Sequence, residues 1–342
     1  MVISVKNLDV RYKDKHAVKN VSFEVSKGEI FGMIGSNGAG KTSAIECIEG
    51  LRSNWSGTIS VLGLDPRHDR KSLNKKIGVQ LQETSYQDKV KVCELGKLFE
   101  SFYDNPADFD ALLKNFGLEE KKNSYVDKLS GGQRQKLSII LALMGKPQIV
   151  FLDELTTGLD PKARRDIWEK IKSLKETGVT VCMTTHFMDE AEYLCDRIAI
   201  MRQGEIVALD TLDNLVKNCG LAGKITFRSS AVLDVSEISS WDTVEKCDLA
   251  NGKYCIVCDA DVIFGKLSNY AAKQGILLAD LNIEHPGLED VFFKYTGETL
   301  SDESDESDES DGSGESDGKS GKSGKSGKSG KFGGKFAGRN RK

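Results

Sequence analysis

The stretch from residue 30 to residue 42, IFGMIGSNGAGKT, determines the fold predicted for this chain. It opens with a continuous apolar run, Ile30 to Ile34, which suits a strand buried on both faces of a sheet. The residues from Gly35 to Thr42 fit the phosphate-binding pattern G-x-x-x-x-G-K-[ST] without a gap. The following segment, Ser43 to Leu51, has a helical pattern. The order strand, glycine-rich loop, helix predicts an α/β fold built around a phosphate-binding loop.

Each residue type in that loop has a chemical reason to be there. Glycines allow backbone N–H groups to close around phosphate oxygens, and the start of the helix adds further N–H donors. Lys41 would place its charge against the β and γ phosphates, and Thr42 would offer its hydroxyl to Mg²⁺. The predicted nucleotide-binding residues of the loop are Gly35, Ser36, Asn37, Gly38, Ala39, Gly40, Lys41 and Thr42.

Two carboxylates follow a second apolar strand, Ile149 to Leu152. Asp153 ends that strand, where its carboxylate would reach a Mg²⁺ ion held by the phosphate loop. Glu154 comes next, in a position to orient or deprotonate an attacking water as general base. The pair therefore predicts hydrolysis of the bound nucleotide.

Composition shifts divide the chain into three predicted parts: a nucleotide-binding domain over 1–217, a small α+β domain over 218–299, and a low-complexity tail over 300–342. The tail carries nine acidic residues between 302 and 317 and nine basic residues between 319 and 342. Because it has almost no apolar side chains, we expect it to be disordered. A solubilising or tethering role is the favoured interpretation of the tail, and a specific binding role is the alternative.

Charge and cysteine content exclude several classes of protein. A net charge of −4 argues against general nucleic-acid binding, which favours a strongly basic domain. The eight cysteines have no disulfide-framework spacing. Cys255 and Cys258 lie on a predicted strand, where positions three apart face opposite sides, which argues against a metal or redox site formed by the pair.

The longest apolar run, Leu137 to Met144, is shorter than a membrane span and suits a buried helix. No secretory leader opens the chain, so a cytoplasmic location is expected.

The pentapeptide from Leu129 to Gln133, LSGGQ, lies twenty positions ahead of the second strand and resembles the signature of ATP-binding cassette (ABC) ATPases. The segment 1–215 is similar to the ABC ATPase domain in every motif and in their order. The resemblance implies a P-loop NTPase fold with a mixed sheet, an antiparallel β-subdomain and a helical subdomain. It also implies that two cassettes pack head to tail, so that the signature binds the γ-phosphate of ATP held by the opposite subunit. The signature residues predicted to bind are Ser130, Gly131, Gly132 and Gln133.

The resemblance assigns four further residues. Tyr12 occupies the place of the aromatic that stacks on adenine, and Asp160 that of an aspartate reaching across the dimer. Gln82 resembles the glutamine that senses Mg²⁺ and the attacking water; Gln80 is its rival, but it belongs to the preceding apolar strand. His186 resembles the switch histidine that contacts the γ-phosphate. Together with Glu154, His186 and Gln82 form the predicted catalytic set, and Thr42, Gln82 and Asp153 the predicted Mg²⁺ ligands.

Spacing discriminates among the functions that ABC ATPases serve. Only 46 residues separate Gln82 from Leu129, too few for the long coiled coil of chromosome-maintenance ATPases. A single set of motifs weakens the resemblance to translation factors, which carry two cassettes in one chain. Residues 285–292, HPGLEDVF, resemble the closing helix of ABC-2 type exporter subunits. We therefore expect an exporter ATPase; a soluble ABC ATPase acting on ribosomes or in regulation is the alternative.

Two protein partners follow from the exporter interpretation. One is a second ABC subunit, expected to be another copy of this chain, and the other is a separate transmembrane permease. The permease would dock on helices near Glu83 to Tyr103. The subunit would then lie peripherally on the inner face of the cell membrane.

Overall fold

Strands and helices alternate through the computed structural model, which describes residues 1–13, 15–80 and 89–298. The strands, in chain order, are β1 (Ile3–Tyr12), β2 (Lys15–Val25), β3 (Ile30–Ile34), β4 (Ser56–Val61), β5 (Ile77–Gln80), β6 (Ile149–Asp153), β7 (Thr180–Thr185), β8 (Arg197–Arg202), β9 (Glu205–Asp210), β10 (Gly223–Ser229), β11 (Val244–Ala250), β12 (Lys253–Cys258) and β13 (Leu278–Glu284). The helices are α1 (Lys41–Ile48), α2 (Arg70–Asn74), α3 (Val92–Glu100), α4 (Phe109–Asn115), α5 (Gly131–Leu143), α6 (Pro161–Glu176), α7 (Met188–Leu194), α8 (Leu212–Cys219), α9 (Val235–Ser239), α10 (Ala260–Gln274) and α11 (Leu288–Thr296). Short 3₁₀ turns occur at Glu119–Lys121 and Val126–Lys128.

The central sheet has the strand order β5-β6-β7-β3-β8-β9 and is parallel except for the β8–β9 pair. Its strand β6 shows how both faces are covered. Val150 and Leu152 enter one apolar core, and Ile149 and Phe151 enter another, because successive side chains of a strand point to opposite faces. The predicted P-loop NTPase fold is therefore confirmed, including the strand buried on both faces ahead of the phosphate loop.

The register of the parallel strands brings three chain segments to one sheet edge. Ile34, the last residue of β3, pairs with Thr185 of β7, and Asp153 of β6 pairs with Thr184. The phosphate loop, the carboxylate pair and the segment containing His186 therefore leave the sheet side by side.

A three-stranded antiparallel sheet, of order β2-β1-β4, packs on one side of the central sheet. Phe23 of β2 stacks on Phe31 of β3, with ring centroids 5.1 Å apart. The helices α3, α4 and α5 pack together into the core on the other side. They include the predicted buried helix, since Leu137 to Leu143 are all buried.

Beyond α8, a third sheet of order β11-β12-β10-β13 packs against α9 and α10. The sequence predicted a small α+β domain here, but not the short helix α9. Cys258 is buried while Cys255 is half-buried, on the opposite face of β12. The last helix, α11, packs against α7 and α8. The domain limits at 217 and 299 stay predictions, and the tail lies outside the described residues.

Within the described part of the chain, no helix is long and apolar enough to cross a bilayer.

Alanine substitutions at two glycines inside helices should have opposite effects on the stability of the protein. A Cβ at Gly96 in α3 would lie 2.3 Å from the buried ring of Phe109, whereas a Cβ at Gly265 in α10 would meet nothing within 4 Å. Gly96→Ala should destabilise the protein by about 1–3 kcal/mol through overpacking. Gly265→Ala should stabilise it by roughly 0.5–1 kcal/mol, because glycine is costly inside a helix. Urea unfolding of both variants tests this, and a stable Gly96→Ala protein would contradict the packing described.

Candidate functional site

The phosphate loop is held in shape by backbone contacts that admit no side chain. A Cβ on Gly35 would lie 2.5 Å from the carbonyl oxygen of Met201. Gly40 has a φ of 108°, and a Cβ there would lie 2.3 Å from the carbonyl oxygen of Ala17. Glycine is required at both positions. At Gly35 the reason is the close approach of the backbone, and at Gly40 it is the close approach together with the positive φ. The loop then turns directly into α1.

Lys41 begins α1 and is only 4% exposed. Its Nζ donates hydrogen bonds to the carbonyl oxygens of Gly35 at 2.7 Å and Ser36 at 3.3 Å. The same Nζ lies 3.7 Å from Oε1 of Glu154. Burial lowers the pKa of Lys41, and the nearby carboxylates oppose that effect. A buried cation therefore lies at the centre of the loop, where a phosphate would gain most from it.

Asp153 ends β6 and is buried at the same sheet edge. Thr184 Oγ1 donates a hydrogen bond to its carboxylate, and its backbone N–H donates to Gln80 Oε1 at 3.2 Å. Burial raises the pKa of Asp153, although hydrogen bonds from Thr184 and Thr42 oppose the rise. The Asp153 carboxyl and the Thr42 hydroxyl are thus two neighbouring oxygen ligands for a cation. A bound cation would favour the ionised form of Asp153.

Glu154 has a left-handed backbone conformation, with φ 46°. For a residue with a Cβ this conformation costs roughly 1–2 kcal/mol, and the N–H of Glu154 is anchored by the Thr184 carbonyl at 3.1 Å. Glu154 Oε1 lies 3.8 Å from His186 Nδ1. His186, and then Lys41, lower the pKa of Glu154 against the effect of burial. The carboxylate therefore stays ionised, as a general base must.

A cavity of about 240 Å³ opens beside the phosphate loop. Tyr12 lines it and donates a hydrogen bond from its hydroxyl to Ser43 Oγ at 3.2 Å, while the Arg52 guanidinium lies 4.9 Å from its ring centroid. Among the described residues, the lining consists of Tyr12, Lys15, Ala17, Asn37, Gly38, Ala39, Gly40, Lys41, Thr42, Ser43 and Glu154.

The signature residues do not line that cavity. Ser130 caps α5: its Oγ accepts from the N–H of Gln133 at 3.3 Å, and Gln133 Oε1 accepts from the N–H of Ser130 at 3.1 Å. A Cβ on Gly132 would lie 3.0 Å from the Cβ of Ala163, so the start of α5 approaches α6 closely. Asp160 caps α6 by accepting from the N–H groups of Lys162 and Ala163.

The structure thus brings together the phosphate loop, Asp153, Glu154 and His186, and it places Ser130 to Gln133 and Asp160 at helix starts outside the cavity. The predicted Gln82 lies outside the described residues.

Sequence reasoning missed the site contacts of Gln80, Thr184 and Lys15. Gln80 was set aside as a strand residue, and its bond to the Asp153 backbone depends on β5–β6 pairing that a motif does not reveal. Thr184 and Lys15 have no local sequence signal.

The fold and the loop define a P-loop nucleoside triphosphatase. A family model described as "ABC transporter" matches residues 18–157. The linearmycin resistance ATP-binding protein LnrL of Bacillus subtilis (strain 168) is 32% identical over 317 residues, covering 88% of this chain and 100% of that protein. The Nod factor export ATP-binding protein I of Rhizobium etli is 33% identical over 314 residues, covering 87% and 94%.

Solved structures agree with the sequence relatives. The ATP-binding subunit of an ABC transporter has a TM-score of 0.59 and 28% identity, over 64% of this chain and 94% of that one. A dimeric ATP-binding cassette in a post-hydrolysis state, bound to ADP and Pi, has a TM-score of 0.56 and 26% identity, over 61% and 98%. The chain belongs to the family of ABC transporter ATP-binding proteins. It binds ATP and is an ATPase.

The buried Asp153 predicts a pH-dependent gain in stability when its charge is removed. Because burial raises its pKa in the folded state, ionisation at neutral pH destabilises the nucleotide-free protein. Asp153→Asn should therefore raise the melting temperature at pH 7, and the gain should vanish as the pH falls below the pKa of the unfolded chain. Asp242→Asn, at an exposed carboxylate, is the control and should show no such trend. A gain for Asp153→Asn that is constant with pH would contradict the burial argument.

Proposed function

We propose that this chain is the ATP-hydrolysing subunit of an exporter whose permease is a separate protein. The observation that carries the proposal is the position of the Glu154 carboxylate, within 4 Å of both Lys41 Nζ and His186 Nδ1 beside the phosphate-loop cavity. The names of the relatives, a resistance protein and an export protein, support the direction of transport. These relatives align with more than the cassette alone, since they cover nearly nine-tenths of the chain.

The nucleotide would bind with its phosphates in the loop Gly35 to Thr42 and its adenine on Tyr12. Mg²⁺ would be held by Thr42, Asp153 and Gln82. The first two fit this role, because a hydroxyl and a buried carboxylate already contact one another at the loop. The ion would supply positive charge next to the β and γ phosphates.

Hydrolysis would use Glu154 as general base, His186 as the γ-phosphate contact and Gln82 as a sensor of the attacking water. The γ-phosphate would compete with Glu154 for Lys41, since both are anions and Lys41 Nζ lies at the loop. Binding of ATP would therefore release the Glu154 carboxylate to orient water. The lowered pKa of Glu154 keeps its carboxylate ionised, so that it can accept a hydrogen bond from the attacking water.

Each ATP site would be completed by a second copy of the chain. Ser130 to Gln133 begin the helix α5, whose N-terminus is suited to an anion, yet they are not among the residues that line their own chain's cavity. Asp160 lies at the start of α6, which approaches the start of α5. In a head-to-tail dimer these helix starts would face the partner's γ-phosphate. The dimeric cassette among the solved structures supports this arrangement.

The permease would dock on the helical segment within Glu83 to Tyr103, of which residues 89–103 are described. Leu98 is 49% exposed and Phe102 60% exposed, although both are large and apolar. Leu98 lies on α3 and Phe102 in the turn that follows it, and their exposure side by side supports a protein contact there. Docking would place the subunit at the inner face of the membrane. The names of the relatives, a resistance protein and an export protein, favour this function over ribosomal or regulatory action.

The general-base assignment predicts the behaviour of Glu154→Gln. The amide cannot accept a proton, so ATP turnover should fall by at least about 100-fold, within the usual range for general bases. ATP should still bind, and size-exclusion chromatography with ATP and Mg²⁺ should show a dimer that persists. Normal turnover in this variant would refute the assignment.

The docking assignment predicts that a charge at Phe102 separates the subunit from its permease. After affinity purification from native membranes, the unmodified chain should recover a multi-span membrane protein, and Phe102→Glu should not. Val262→Glu, at a residue 55% exposed on α10, is the matched control and should recover it. ATP turnover of the purified subunit should be the same in both variants. Recovery of ribosomes in place of a membrane protein would refute the transporter proposal.

A further inference from the structure

A fully buried carboxyl group outside the predicted site joins three segments of the ATPase. Glu190, on α7, has 0% exposure. Its Oε1 accepts a hydrogen bond from Thr156 Oγ1 at 2.8 Å and another from Trp168 Nε1 at 3.0 Å. Carboxyl groups are rarely buried unless they are paired, so this one is expected to have a specific role.

The two donors come from the two segments that follow Glu154, the proposed general base. Thr156 lies two residues after Glu154, in the loop Leu155 to Leu159 that ends at Asp160. Trp168 lies on α6, the helix that Asp160 caps. The loop is thus tied near its start, and the helix that follows it is tied two turns beyond Asp160.

The acceptor comes from the segment that carries the histidine. Glu190 is four residues beyond His186. The backbone on either side of His186 is held by a hydrogen bond from the Phe187 N–H to Thr185 Oγ1 at 3.0 Å. One carboxyl oxygen of Glu190 therefore links the segments that carry Glu154 and Asp160 to the segment that carries His186. Removal of this acceptor would leave two buried donors unpaired, which costs more than an ordinary hydrogen bond contributes.

We propose that Glu190 is a positioning residue for ATP hydrolysis, which fixes the loop Leu155 to Leu159 against α7 and so holds Glu154, Asp160 and His186 in register. The inference rests on the proposed role of Glu154 as general base. Glu190 touches neither the cavity nor the phosphate loop, so it should affect the chemical step and not nucleotide binding. Errors of about 1 Å in a catalytic group can cost on the order of 100-fold in rate.

Three variants test the proposal by separating kcat from nucleotide affinity. Glu190→Ala removes the acceptor, and kcat for phosphate release should fall about 10- to 100-fold, with the dissociation constant for a non-hydrolysable ATP analogue unchanged. Glu190→Gln keeps a carbonyl oxygen for both donors and, because burial raises the pKa of Glu190, matches its neutral form; it should restore most of the activity. Thr156→Val removes one donor with little change of shape and should lower kcat by less than Glu190→Ala.

Thr58→Val, at an exposed threonine on β4, is the control for the threonine substitution and should leave kcat unchanged. If Glu190→Ala fails to fold, Thr156→Val carries the test, since it leaves the carboxyl and Trp168 in place. The double variant Thr156→Val with Glu190→Ala should be no slower than Glu190→Ala alone, because the hydrogen bond that Thr156→Val removes is already lost in Glu190→Ala.

Unchanged kcat in Glu190→Ala and Thr156→Val would overturn the inference, as would a loss of nucleotide affinity in proportion to the loss of rate. Glu154→Gln is measured alongside. If that variant hydrolyses ATP normally, the proposed function fails; if it is inactive while Glu190→Ala and Thr156→Val are fully active, only the inference about Glu190 fails.

Discussion

The site depends on one constraint: a lysine that is 4% exposed must keep its charge compensated. Backbone carbonyls of the loop and the Glu154 carboxylate surround Lys41 Nζ. That arrangement requires the loop to close tightly, which explains glycine at positions 35 and 40. It also requires β3 and β6 to end at the same edge, which the parallel register provides through the strand between them. An incoming phosphate would find a cation that is already desolvated and pre-positioned.

Much of the site was predictable because its motifs combine residue type with a local backbone arrangement. The loop around Lys41 and the strand ending at Asp153 are of this kind, and the structure places both at the sheet edge as expected. The contacts of Gln80 and Thr184 with Asp153 were not predictable. They join residues 73 and 31 positions apart, and their donors and acceptors meet only after the strands have paired.

The fold was predictable to a similar extent and for the same reason. Apolar runs and their spacing revealed the strands of the central sheet, such as β3 and β6, because burial on both faces leaves a strong pattern. The helix α9 was missed, since it is a single short turn capped by Asp234 in a polar segment. The packing of α11 against α7 and α8 likewise depends on surfaces distant in sequence.

The hydrogen bonds at the starts of α5 and α6 limit what these helix starts could contact in the proposed head-to-tail dimer. Ser130 and Asp160 already accept hydrogen bonds from N–H groups of their own helices. A serine hydroxyl can still donate its proton while it accepts, so Ser130 can bind an anion without giving up its cap. An ionised aspartate only accepts, so Asp160 would meet donors and not phosphate in a partner subunit. Helix α5 approaches helix α6 at these two starts. In the proposed head-to-tail dimer, Ser130 and Asp160 would therefore offer opposite chemistry to the partner subunit, and each could contact only groups of the complementary kind.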